Sequence, residues 1–145
     1  MNLPDTQATE KGPSTFKYIL AWVLHNILAW VLIAIFDGAL FKAIVSDLDD
    51  VNTYFLASAV LTVLAQVGSF IAIYSLFRSL NVKSVMYFVY ILYALSAIIG
   101  VSTTVNAYQE IGVDTTVLIL SVPAAYLVTV FSIRRYFRNK QDRWR

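Results

Sequence analysis

Residues 51–77 read VNTYFLASAVLTVLAQVGSFIAIYSLF and contain no charged side chain. About 20 predominantly apolar residues are enough for a helix to cross a hydrocarbon core of roughly 30 Å. Inside that core, backbone N–H and C=O groups must find partners within the protein, which leaves only helices or closed barrels. Apolar and polar residues do not alternate along this stretch, so it reads as a helix rather than a barrel strand. Three more charge-free runs flank it, from Tyr18 to Phe36, from Ser84 to Gln109 and from Thr115 to Ile133.

The composition agrees. Hydrophobic residues make up 59% of the 145-residue chain, against roughly 45–50% in an ordinary soluble domain. A single soluble core of this size could not bury that excess. The expected fold is therefore all-α and membrane-integral, an antiparallel bundle of four transmembrane helices. The spans are expected near residues 18–45, 53–77, 85–106 and 115–134, within a transmembrane domain covering 17–137. Residues 1–16 read as a short cytoplasmic tail and 138–145 as a basic one. The connections Asp47–Asn52, Ser79–Lys83 and Tyr108–Asp114 are short, which makes sequential helices antiparallel neighbours. The first run is longer than a signal-peptide core and its lead carries Asp5 and Glu10, so it is expected to be a retained span.

Basic residues set the expected orientation. If the N-terminus is cytoplasmic, that side holds Lys11, Lys17, Arg78, Lys83, Arg134, Arg135, Arg138, Lys140, Arg143 and Arg145, leaving only Lys42 outside. Such an asymmetry places both termini in the cytoplasm. Asp50 or Asn52 is expected to cap the second helix and Asp114 the fourth. The ending RRYFRNKQDRWR puts Arg134, Arg135, Arg138, Lys140, Arg143 and Arg145 at the lipid headgroups. Anionic lipids at the cytoplasmic face are their expected partner, each basic residue contributing about 1 kcal/mol near the surface.

Helices associate in lipid through small residues that permit close approach. Ser58, Thr62, Ala65, Ser69 and Ala72 recur at 4-3-4-3 spacing on the second span. Ser96, Gly100, Thr103 and Ala107 do so on the third, and Ser121, Ala125 and Ser132 lie on the fourth. Ala34 and Gly38 are the contribution of the first. This pattern implies left-handed packing at roughly +20° with the second and third helices close together. The same stripes could serve self-association. Tyr87, Phe88, Tyr90 and Tyr93 read as an interfacial aromatic belt.

Polar residues inside the spans are the candidate site. Asp37 is the only acid within a span, and an intramembrane acid suggests an ion or proton pathway unless it sits at the outer interface. At about 1.5 Å per residue it lies roughly 28 Å along the helix from Tyr18, near that interface. His25, Gln66 and Asn106 are the other candidates, either as interhelical hydrogen-bond donors and acceptors or as the lining of a route with Asp37. Pro123 removes one backbone hydrogen bond from the fourth span and should kink it.

Chemistry is poorly supplied. With no cysteine and one histidine, thiolate nucleophiles, iron–sulfur clusters, bis-histidine haem within one chain and histidine-rich metal sites are all excluded. There is no HExxH, GxSxG or P-loop, and no second intramembrane acid for an aspartyl pair. No catalytic residue, metal site or cofactor is expected, and the net charge of +2 gives no case for nucleic acid. The expectation is a small multi-pass protein of a bacterial inner membrane that acts non-enzymatically through helix packing. It would be an accessory subunit or a protective, immunity-type protein, with a membrane-protein partner or its own copies. The alternative is an oligomeric ion or solute transporter with Asp37 as the coupling acid.

Overall fold

The computed structural model describes residues 14–45, 51–109 and 115–140. They form four helices, α1 (Thr15–Ile44), α2 (Val51–Leu76), α3 (Val82–Gln109) and α4 (Thr116–Arg138). All four are long and apolar enough to cross a membrane. The chain is therefore an all-helical protein with the build of an integral membrane protein. α1 has 30 residues, about 45 Å at 1.5 Å per residue, so it exceeds the roughly 30 Å hydrocarbon layer. α4 continues through Pro123 without interruption.

The closely packed pairs are α1 with α2, α2 with α4, and α3 with α4. α3 is not the close neighbour of α2 that its small residues suggested. Its buried face carries Val82, Val85, Met86, Val89 and Tyr93, side chains bulky enough to hold the two backbones apart. Ser96, from the expected small-residue seam, is exposed, as is Ala72 on α2, whereas Ala65 and Ser69 are buried. The side-chain environments of Gly100, Thr103, Thr104 and Ala107 lie outside the described residues.

The core gathers at the end of the bundle where residues 77–81 turn from α2 into α3. It joins Ala21, Phe70, Tyr74, Leu80, Val82, Met86, Val89, Ile133 and Phe137. Phe70 and Tyr74, one helical turn apart on α2, stack with ring centroids 4.1 Å apart, and Phe137 of α4 meets Phe70 edge-on at 6.0 Å. The α2–α3 turn is fixed by its own chemistry. The Asn81 side-chain oxygen accepts from the backbone N–H groups of Lys83 and Ser84 at 3.0 and 3.4 Å, capping α3. The backbone N–H of Asn81 in turn donates to the Tyr18 hydroxyl of α1 at 3.0 Å. The N-terminal caps expected at Asp50 and Asp114 lie outside the described residues, while Asn52 falls inside α2.

Candidate functional site

The fully buried positions of α1 are Ala21, His25 and Ala29, one turn apart on a single stripe. Two alanines let the neighbouring helix approach, and the imidazole between them enters the bundle with no exposed surface. Its ring lies against Trp22 at 5.0 Å and Phe70 at 5.2 Å. Both ring nitrogens are engaged. The Asn26 side-chain amide donates to the Trp22 carbonyl at 2.8 Å and lies 3.2 Å from His25 Nδ1. His25 Nε2 lies 3.1 Å from Gln66 Oε1 of α2, a carbonyl oxygen that can only accept, so Nε2 is the donor.

Gln66 Oε1 also accepts from the Tyr93 hydroxyl of α3 at 2.8 Å. One carbonyl oxygen thus holds donors from two other helices, and α1, α2 and α3 are tied at one buried point. Tyr93 is only 6% exposed, so it belongs to the core and not to the expected aromatic belt. It shares a buried stripe with Met86 and Val89, whereas Tyr87 and Phe88 face outward.

Asp37 forms a second centre, twelve residues further along α1, about 18 Å away. Its two oxygens accept from the Tyr54 hydroxyl at 2.7 Å and the Ser58 hydroxyl at 2.8 Å, both from α2. Phe41 meets the Tyr54 ring edge-on at 5.2 Å. Asp37 therefore has hydroxyl partners on the adjacent helix, and it is half-buried rather than enclosed.

A cavity of about 230 Å³ between α2 and α4 runs from Ser58 past Thr62 to Gln66, with Ser121 and Thr129 on the opposite wall. It touches a residue of each centre. The hydroxyls along it are partly spent on their own helices. Thr62 donates to the Ser58 carbonyl, Thr129 to the Ala125 carbonyl and Ser121 to the Leu118 carbonyl, at 2.9, 2.8 and 3.4 Å.

Of the four candidate residues, the structure joins His25 to Gln66 directly and sets Asp37 apart at its own hydroxyl pair. Asn106 is exposed on α3, thirteen residues beyond Tyr93. Tyr93, read from sequence as part of an aromatic belt, and Tyr54, not singled out, complete these contacts; Asn81, which fixes the α2–α3 turn, was not singled out either. Tyr93 was signalled by its spacing from Met86 and Val89, Tyr54 by lying one turn before Ser58, and Asn81 by preceding an apolar run. Among the described residues, no three histidine, aspartate or glutamate side chains gather as a metal set.

The basic end of α4 is divided. Arg134, Arg135 and Arg138, with Phe131 and Asn139, surround a depression of about 540 Å³. Lys140 turns elsewhere, donating to the Tyr136 hydroxyl at 2.8 Å with its ammonium 4.5 Å from that ring. Arg143 and Arg145 lie outside the described residues. No protein-family model, curated protein or solved structure matches the chain.

Proposed function

We propose that this chain is a non-enzymatic multi-pass protein that acts by packing against another membrane helix, as an accessory or protective subunit. The observation that carries this reading is the use of its polar groups. His25, Gln66 and Tyr93 are closed on one another, and the Asp37 oxygens on Tyr54 and Ser58, which are structural uses. Beyond Tyr93, α3 instead presents Leu95, Ser96, Ile98 and Ile99 outward. Small and apolar faces of this kind suit a further helix.

In this reading the helices run alternately up and down. Support comes from the pairing order, in which His25 meets Gln66 while Asp37, later on α1, meets Ser58 and Tyr54, earlier on α2. The basic-residue asymmetry puts both termini in the cytoplasm. A bacterial inner membrane is the location this reading assigns.

Mild solubilisation of the tagged protein from its native membrane, followed by mass measurement, tests the reading. A complex with a second protein, weakened by Ser96→Leu at unchanged abundance, is expected. A monomer without partners would sink it. The cavity joining Ser58 to Gln66 favours a second reading, an oligomeric ion or solute transporter with Asp37 as coupling acid. In proteoliposomes, Asp37→Asn should then abolish flux, and full flux in that variant would remove this alternative.

A further inference from the structure

The outward face of α4 changes character abruptly. Leu120, Leu127 and Phe131 are 67%, 71% and 63% exposed, and with about 100° between successive residues they lie on one stripe. The same stripe continues through Arg134, Arg135 and Arg138, which with Phe131 occupy an arc of about 100°. Ile133 and Phe137, on the opposite side, are buried in the core. The arginines are therefore held outward by a helix that cannot turn. The three arginines line one depression of about 540 Å³ together with Asn139 and the exposed Phe131. The only carboxylate among the described residues is Asp37, which is bonded to α2 at Tyr54 and Ser58.

We propose that this depression is a binding site for one phospholipid with a doubly charged phosphate headgroup. The arginines hold the phosphate and the stripe from Phe131 to Leu120 holds an acyl chain. Guanidinium forks match phosphate oxygens two at a time, and three of them call for more negative charge than a single phosphodiester carries. The stripe identifies the occupant as a lipid rather than a free anion. From Leu120 to Phe131 is eleven residues, about 16 Å, which is one leaflet of a roughly 30 Å hydrocarbon core. The site depends only on α4 reaching the membrane surface, and it stands whichever functional reading holds.

The test uses the full chain in mild detergent, titrated with dioctanoyl phosphatidic acid and followed by native mass spectrometry. Saturable binding of one lipid is expected, weakened at least tenfold by Arg135→Gln and less than twofold by Lys140→Gln, which removes the same charge. Arg138→Lys keeps the charge but loses the fork, and should weaken binding at least threefold with the fold intact. Dioctanoyl phosphatidylglycerol should bind several-fold more weakly. Equal losses in the Arg135 and Lys140 variants would reduce the site to diffuse attraction and overturn the proposal. So would inorganic phosphate competing as well as the lipid does, since the ligand would then be a soluble anion.

Discussion

The two ends of this bundle use much the same residue types and pack them differently. At the α2–α3 turn, Phe70, Tyr74, Leu80, Val82, Met86, Val89, Ile133 and Phe137 interlock around His25 and Gln66. Toward the other end, along residues 31–44, 51–62 and 94–102, exposed and half-buried side chains predominate, and the polar contacts of Asp37 join α1 to α2 alone. One end is bound by shape and by a carbonyl shared among three helices. The other is bound pairwise. In lipid this difference matters more than hydrophobicity, because exposed leucines and isoleucines cost nothing there and only close contact or hydrogen bonding discriminates one arrangement from another.

The comparison breaks most visibly by deleting mass from the packed end. Phe70→Ala removes the ring that touches Tyr74, His25 and Phe137 and should cost about 3 kcal/mol or more, as large buried truncations do. Thermal or denaturant unfolding in detergent micelles would show it. Next comes Gln66→Leu, which leaves the His25 Nε2–H and the Tyr93 hydroxyl without their acceptor. A loss of about 2 kcal/mol is expected, read by the same unfolding curve. Asn81→Ala uncaps α3 and should cost about 1 kcal/mol, with amide exchange speeding up first at Lys83 and Ser84. Tyr93→Phe keeps the ring and drops one interhelical bond, for about 0.6 kcal/mol. Ile99→Ala, on the exposed face of α3, should stay within about 0.5 kcal/mol. An Ile99→Ala cost that approached that of Phe70→Ala would mean that the two ends are packed alike.

Much of the fold was legible because the runs Tyr18–Phe36, Val51–Phe77, Ser84–Gln109 and Thr115–Ile133 leave no charged residue to interrupt a span. Which helix meets which was legible in part: α1 with α2 and α3 with α4 pack as sequential neighbours, but α2 packs closely on α4 and not on α3. Ser96 and Ala72 carry the same small-residue signal as Ala65 and Ser69, yet the first two face outward. Spacing defines a stripe, and the bulk on the competing stripe decides which one turns inward. On α3, Met86, Val89 and Tyr93 won. The polar site was legible in its members, since His25, Gln66 and Asp37 stand out in apolar surroundings, but not in its pairing. Tyr93 and Tyr54 escaped because a tyrosine in a span serves equally well at a headgroup belt or as a buried donor. Only the depth and rotation of its helix decide between the two.

The distribution of the packed end along the chain has a consequence for biosynthesis. His25 and Gln66 can bond as soon as the second helix has entered the membrane, which shelters two polar groups early. The same oxygen then waits for Tyr93, and Tyr18 waits for the turn at Asn81. Phe70 keeps an open side until Phe137 of the fourth helix is made and inserted. The half-finished protein thus has its first two helices joined before its core is complete. Insertion of the fourth helix is the step that lets its tightest core close.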